Sequence, residues 1–500
     1  MSGFQNISFP EIPGTLRVPG TYVQVKPSYS LAGLFDFPAR ALIIGQMLAA
    51  GTGTAGAIYN LVSVNQAIAL FGAGSMAARM AAVFLAANPW TPVDIIGMSD
   101  PTGTAATATM TVTTVPSVSG TLLLNIAGQT VPVTFNTATD TTTTLVAAKI
   151  AAAINAPALN ASSMLPCTAT SALGVVTLTA RHVGAQSNDL VFSVPSWPTS
   201  GVPAGLVIST TGAFTTGAGL VTVSSLFSTI ANSWYTDIAM PWTDSTNLAA
   251  LSAELDRRYT AMVQMDGVAY IAPQAAYGSL PAMVSAINGK CIAAMALTSS
   301  LSPSWEWAAS LCAVAAWRTL QDPAQQLRDA TLPGISPPLP VNQMYMTEQD
   351  ALLHEGLSTY NVRRDGTVGI QRLISTYLTT VSGFADAAWL DINTVKVMTR
   401  VRYDWRAYVA AVWPSAKLAD NGSLAAEYDS TIATPMRLQG SWAARSRLYE
   451  QYGWLENTAA LAQQAVFERD PSDRNKVLAR MPVRVVGNLI VLAASLEFQV

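Results

Sequence analysis

The sequence predicts an α/β protein with a mainly parallel sheet core, a small β-sandwich or barrel domain inserted into it, an α+β C-terminal domain, and extended N- and C-terminal arms. Three observations predict this. Strand-like and helix-like runs alternate on both sides of a long interruption, the pattern of a parallel sheet covered by helices. The interruption, Thr102 to Thr216, is an island of Thr, Ala, Val and Gly whose only Lys, Arg, Asp or Glu residues are Asp140, Lys149, Arg181 and Asp189. A proline cluster, Pro333, Pro337, Pro338 and Pro340, then separates the core from the C-terminal region.

Taken in order, Tyr22-Val23-Gln24-Val25-Lys26 alternates apolar and polar residues after Pro10, Pro13 and Pro19. Ala41 to Gly45 and Val93 to Met98 read as core strands, with a helix from Ser75 to Ala87 between them, whereas Val64 to Phe71 is as helical as it is strand-like. Within the island, Thr109 to Val115, Thr121 to Ile126, Val131 to Phe135, Val175 to Ala180 and Leu190 to Val194 have β-type alternation, and Thr144 to Ile154 is a helix. Alternation resumes with strands at Trp234 to Met240, Val268 to Ala272 and Cys291 to Leu297, and helices at Leu248 to Tyr259, Met283 to Asn288 and Trp305 to Leu320. Beyond the prolines a short helix starts near Thr347, with Asp350 at the capping-box distance. Tyr360 to Arg364 and Thr367 to Tyr377 form a hairpin about Asp365-Gly366, a pair that favours a type I′ turn. A long helix near Trp442 to Leu455 and strand-like Val483 to Val500 complete the chain. The expected division is an arm over 1–30, a core over 31–100 and 217–345, the insertion over 101–216, a C-terminal domain over 346–485 and an arm strand over 486–500.

At 500 residues the chain is long enough for two to four domains of the usual ~100 to 200 residues. Half of it is hydrophobic and 11% is charged, far from the composition of a disordered chain. A net charge of −3 supplies no positive field for a phosphate backbone or an anionic bilayer, so direct nucleic-acid binding is not expected. The longest apolar runs, Ala67 to Ala87 and Pro281 to Leu297, are broken by Arg79 and Lys290, so no stable membrane insertion is expected. Met1 to Pro10 has no basic-then-apolar leader pattern, which predicts folding in the cytoplasm. Cys167, Cys291 and Cys312 lack any C-x-x-C spacing and are expected to be buried thiols, not a disulfide framework or a zinc site.

The patterns that carry chemistry yield no catalytic, cofactor-binding or metal site. Gly72-Ala73-Gly74-Ser75-Met76-Ala77 fits a relaxed G-x-G-x-x-A fingerprint with Asp94 at the position of a ribose-binding acid, which leaves an NAD-type oxidoreductase as the alternative of another class. A packing loop before a helix is the better reading. His182 and His354 are the only histidines, and no G-x-S-x-G elbow accompanies either. Gly289-Lys290 is followed by Cys291 and lacks the phosphate-loop spacing, and the acids of Asp386 to Asp391 and Glu468 to Asp473 lack calcium-loop order. The protein is therefore not expected to be an enzyme.

The remaining signals concern assembly. The terminal runs, Tyr22, Val23 and Val25 at one end and Leu496, Phe498 and Val500 at the other, would each complete a domain of their own chain or add a strand to a neighbouring subunit's sheet edge. Several further segments resemble the contractile phage tail sheath proteins, and among them the Mu-like group. These are Phe9-Pro10-Glu11-Ile12-Pro13, Arg17-Val18-Pro19-Gly20-Thr21-Tyr22-Val23, Phe71-Gly72-Ala73-Gly74-Ser75, Lys417-Leu418-Ala419-Asp420-Asn421-Gly422, Thr434-Pro435, Tyr452-Gly453-Trp454-Leu455-Glu456-Asn457 and Phe467-Glu468-Arg469-Asp470. The resemblance implies a subtilisin-like core used without its chemistry. It also implies an outward-facing β-domain at the threonine-rich insertion, and arms that pass between subunits. By the same resemblance the function is that of a self-assembling structural subunit. Hexameric rings stack helically around an inner tail tube and contract to drive the tube through the host envelope during genome ejection. The implied partners are other copies of the chain, the tube, the baseplate and the tail terminator, with the sheath of the virion as the location, assembled in the host cytoplasm. A phage-derived bacteriocin or related contractile injection device is the alternative within this class.

Overall fold

Along the chain come β1 (Ala41–Gln46), β2 (Ile58–Leu61) and β3 (Val93–Met98). The threonine-rich segment contributes β4 (Ala105–Thr114), β5 (Gly120–Ile126), β6 (Gln129–Phe135), β7 (Cys167–Ala172), β8 (Val175–Val183), β9 (Phe192–Ser193) and β10 (Val207–Thr210). Three more strands, β11 (Asp237–Ala239), β12 (Val268–Ile271) and β13 (Ile292–Ala294), lie beyond it. This is a computed structural model, and it describes residues 17–21, 33–156, 164–195 and 202–498. The chain divides into a short unit, Met1–Asp36, and a large one, Phe37–Val500. The described residues of the short unit contain neither helix nor strand.

A six-stranded sheet in the order β13-β12-β11-β1-β3-β2 forms the centre of the large unit. All its pairings are parallel except that of β2 with β3. β1, β11, β12 and β13 are buried along their whole length, as a parallel sheet covered on both faces requires. The helices Met76–Ala87 and Ser304–Gln321 pack on each other and against this sheet. Both are apolar nearly all round, which suits buried helices. Val64–Phe71 proves helical, its N-terminus capped by Ser63, whose hydroxyl accepts from the Gln66 N–H.

The strands of the threonine-rich segment join none of the central strands; they make a four-stranded sheet, β10-β4-β8-β7, and a three-stranded one, β6-β5-β9. In β4 the small and apolar residues Ala106, Ala108, Met110 and Val112 point into the core. Its threonines lie on the other face, Thr107 opposite Thr179 and Thr109 opposite Thr177. The helix Thr143–Ile154 packs on β4, β6, β7 and β8. β7 and β10 escape the sequence reading because their residues are mostly small and hydroxylic, with little apolar alternation to register.

Several boundaries differ from those expected, each for a local reason. The helix expected over Met283 to Asn288 lies at Leu280–Val284, started by Pro281 in its first turn. The helix expected near Thr347 is Met346–His354, and its capping acid is Glu348, which accepts from the Tyr345 N–H at 2.8 Å. The hairpin of β14 (Thr359–Val362) and β15 (Val368–Arg372) does not use a two-residue type I′ turn. Its loop closes between Arg363 and Thr367, only Gly366 of its residues has positive φ, at 81°, and Asp365 Oδ1 holds the Thr367 N–H. The C-terminal helix expected near Trp442 to Leu455 runs over Pro435–Gln451, with Pro435 at its start and Thr434 as its cap. A 21-residue helix, Ile392–Val412, has no counterpart in the sequence reading. The last hairpin is β16 (Val466–Arg469) with β17 (Val477–Arg480). Beyond it Val485 makes one bridge to Leu455, and residues 486–498 are in no strand.

Candidate functional site

The loop Gly72 to Ala77 comes after a helix, not a strand, so it has no β-turn-α setting in which to hold a pyrophosphate. Gly72 and Gly74 have positive φ, 87° and 79°. A side chain at Gly74 would sit 2.5 Å from the Leu165 carbonyl oxygen, so this glycine permits close packing against the threonine-rich segment. The N-terminus of the helix after it is already filled. Ser75 Oγ accepts from the Ala78 N–H at 3.1 Å, and His182 Nε2 accepts from the Met76 N–H at 2.9 Å. Asp94, the expected ribose acid, lies buried in the sheet, where it accepts from Tyr235 Oη at 2.9 Å and from the Asn60 amide at 3.2 Å. The loop therefore lacks the strand-turn-helix setting that the oxidoreductase alternative requires.

His182 looks at first like half of a catalytic dyad, because its Nδ1 lies 2.7 Å from Asp100 Oδ1. The other nitrogen accepts from a backbone N–H, which fixes the proton on Nδ1 and leaves no lone pair to act as a base. Asp100 also receives the Gln46 amide and the Val183 N–H, at 2.8 and 3.1 Å. The cluster ties the end of β1 to β8 and to a helix start. His354 is exposed and 3.8 Å from Asp350, one turn away on its own helix. Lys290, of the Gly289-Lys290 pair, lies 4.4 Å over the Tyr259 ring. Asp386 accepts from Tyr377 Oη, Asp391 faces Arg372, and Asp470 is bonded by Lys476 and Ser472. Among the described residues no three His, Cys, Asp or Glu side chains converge as a metal site, and no helix is long and apolar enough to cross a membrane. Burial pushes the thiols of Cys167 and Cys291 up to about 12, and that of Cys312 well above the usual range.

The cleft at the carboxyl ends of β1 and β11, where the winding of the sheet reverses, is where open α/β sheets take their ligands. Here it is a cavity of about 210 Å³ bordered by Gln46, Gln186, Asp189, Trp242 and Asp244. Its carboxylates already have partners in the protein. Asp189 accepts from Ser304 Oγ and the Gln186 amide, and Asp244 caps a helix at the Asn247 N–H. Burial pushes the Asp189 carboxyl up to about 7, with the Ser304 bond opposing the rise.

Much of the scarce charge is internal. Arg79 and Glu306 form a buried pair, and the Arg79 guanidinium also donates to the carbonyls of Met164, at 3.0 Å, and Ala127, at 2.8 Å. Lys396 Nζ lies 2.6 Å from Asp237 Oδ1, and Arg445 grips Asp404 with bonds of 2.6 and 2.7 Å while Tyr449 adds a third of 2.7 Å. Such pairs hold elements together; they offer no free group to a substrate.

An open groove of about 720 Å³ runs along the helix Ile392–Val412, and its apolar lining includes Trp405, Trp413 and Trp442. No sequence signal points to it, because the helix itself is hidden from a periodic reading. Of the arm residues singled out in the sequence, Tyr22, Val23, Val25 and Val500 lie outside the described residues. Leu496 and Phe498 are 97% and 83% exposed.

Along essentially its whole length the chain resembles the tail sheath proteins. It is 27% identical over 496 residues to the Mu-like prophage FluMu tail sheath protein of Haemophilus influenzae, with 99% of each chain covered. No family profile matches the chain. Among solved structures, the sheath tail protein of Desulfitobacterium hafniense is similar over 93% of this chain and 100% of its own, with 12% identity and a TM-score of 0.46. The helical sheath of the anti-feeding prophage in its contracted state is similar over 97% of this chain and 99% of its own, with 14% identity and a TM-score of 0.48.

Proposed function

We propose that this chain is the structural, self-assembling subunit of a contractile tail sheath. The observation that carries the reading is the similarity to the FluMu tail sheath protein across 99% of both chains. Subunits form hexameric rings, stack helically around an inner tail tube, and contract to drive the tube through a host envelope. The partners are further copies, the tube, the baseplate and the tail terminator. The same subunit would serve a phage virion or a bacteriocin-like device. The role is mechanical and not enzymatic, in keeping with the way His182, Asp100 and Asp94 are bonded inside the protein. In this reading the strands of 31–100 and 217–345 make a subtilisin-like core, 101–216 an outward domain, 346–485 the C-terminal sheath domain, and 1–30 and 486–500 the arms.

Contraction without fuel needs two packings of one subunit that differ by a few kcal/mol, with the less stable one held by assembly on the tube. The arms keep copies linked while the rigid parts move. The exposure of Leu496 and Phe498 supports this part of the reading, since large apolar side chains at the end of an unpaired segment gain roughly 1.5 to 3 kcal/mol each when a neighbour buries them. Electron microscopy of the purified protein should show rings or tubes. Removing residues 496–500 should abolish them while leaving the melting temperature of the monomer unchanged. Normal assembly of the truncated protein, or its unfolding as a monomer, would refute the exchange of arms.

A further inference from the structure

An unpaired sheet edge is a row of main-chain N–H and C=O groups on which another chain can add a strand. The central sheet ends at β13 and β2. Main chain covers the β13 edge, where Ser358 donates to the Ala294 carbonyl at 2.7 Å and Thr376 to that of Ile292 at 2.9 Å. At β2 the ladder shows which groups point outward. The carbonyls of Pro92 and Met98, at the two ends of β3, accept from Ala41 and Met47, so alternate residues of β3 face β1 and those between them face β2. With Tyr59 opposite Ile95 and Leu61 opposite Val93, the backbone groups of Ile58, Asn60 and Val62 are directed away from β3. Ile58 and Val62 are exposed and β-branched, which suits a strand to pairing.

One side chain occupies that outer side. Gln66 Oε1 accepts from the Val62 N–H at 2.8 Å and Gln66 Nε2 donates to the Asn60 carbonyl at 2.9 Å, the bonds that a neighbouring strand would make. Helix capping does not require them. Gln66 is the third residue of its helix, and a capping box would direct its amide to the N–H of the cap, Ser63. The threonine-rich segment repeats the device. β7 ends the four-stranded sheet, and the Asn155 amide takes both main-chain groups of Ala169, accepting from the N–H at 3.0 Å and donating to the carbonyl at 2.6 Å. The Arg181 N–H bonds the Pro166 carbonyl, so the alternation puts the groups of Ala169 on the outer side of β7. On β6, an edge of the three-stranded sheet, Pro132 stands opposite Leu123 and has no N–H to offer.

We infer that Gln66 and Asn155 are edge locks, whose amides stand in for a neighbouring strand and keep a second copy of the chain from pairing with β2 or β7. A side-chain amide holds an acceptor and donors side by side, as a peptide unit does, so it satisfies the edge without adding charge and without extending the sheet. The inference goes beyond the sheath reading and does not depend on it, because any chain that meets copies of itself is exposed to edge-to-edge pairing.

Cross-linking in the full-length protein tests the locks, because the three native cysteines are buried. Asn60→Cys, at an exposed position, is made with and without Gln66→Ala, and each protein is treated with a short bis-maleimide and run on a denaturing gel. Linked dimer should rise several-fold when Gln66 is replaced, and rise further with protein concentration. Adding Ile58→Lys, a charge on the edge, should return it to the parent level. Equal dimer with and without Gln66, or a melting temperature that falls with no gain in dimer, would make Gln66 a local cap and overturn the lock. Dimer that Ile58→Lys does not lower would overturn edge pairing as its cause. Should Gln66→Ala fail to fold, Gln66→Glu carries the same comparison, since it keeps the acceptor for Val62 and loses the donor for Asn60. Thr170→Cys with and without Asn155→Ala tests β7 in the same way, and each edge stands or falls on its own pair of variants.

Discussion

Arg79 is one of six basic residues in the first 250 positions, and it is not on the surface. Its guanidinium donates to Glu306 and to two carbonyls at once, one from each nitrogen, a planar three-acceptor task that Lys would perform poorly. Removing one member of such a pair leaves the other buried and unmatched, at a cost of about 3 to 5 kcal/mol. Arg79→Ala should therefore lower the melting temperature sharply, whereas replacing both Arg79 and Glu306 by Met should restore much of the loss. Equal destabilisation by the single and double replacements would contradict this account. Asp189 makes the opposite contribution. Its folded-state value near 7 lies above the ordinary 3.8, so between these limits the native state keeps a proton that the unfolded chain has released. Stability attributable to this group thus falls as pH rises from about 4 to about 7. Asp189→Asn should leave stability near pH 3 unchanged and raise it at pH 8, as denaturant midpoints would show. A variant weaker than wild type at pH 8 would refute the assignment.

At the scale of elements, the Gly72 to Ala77 loop shows why a motif needs its setting. The same glycine pattern that would admit a pyrophosphate after a strand here lets a helix start approach the carbonyl of Leu165. Gly74→Ala adds a Cβ where φ is 79° and the nearest atom lies 2.5 Å away, so strain and overlap act together. The variant should lose on the order of 1 to 3 kcal/mol of stability, and neither it nor the wild type should show a thermal shift with NAD. A nucleotide-dependent shift in the wild type would reopen the cofactor reading. The helix Ile392–Val412 shows the converse. Lys396 and Asp404 sit on its buried side because each has a partner on another element, Asp237 and Arg445. Charges at core positions erase the apolar period by which a helix is read.

In the whole molecule, residues 101–216 leave and rejoin the core through a narrow neck, where Thr104 pairs with Ala218. The ends of the excursion are therefore close, which favours clean excision. The segment nevertheless covers the core. It supplies the Met164 and Ala127 carbonyls to Arg79, His182 to the helix at Met76, and Gly128 to Ser336. Deleting Thr102 to Thr216 should thus yield a folded but markedly less stable protein. Adding Arg79→Met and Glu306→Met should recover part of the loss by removing the uncovered charges. Circular dichroism melts check both steps, and failure of the combined variant to fold would show that the segment is integral to the core.

Strand and helix runs such as Ala41–Gln46, Val93–Met98 and Ser304–Gln321 were legible in the sequence because a buried parallel sheet and its covering helices repeat local apolar patterns within a few residues. The resemblance to tail sheath proteins was legible in the order of the segments along the chain. What waited for the tertiary structure was every feature made by distant residues. His182 meets Met76 across 106 positions, Arg79 meets Glu306 across 227, and Lys396 meets Asp237 across 159. The groove on Ile392–Val412 joins side chains from Tyr259 to Val483. Such contacts have no period and no spacing, because they are set by how elements pack and not by the neighbours of each residue along the chain.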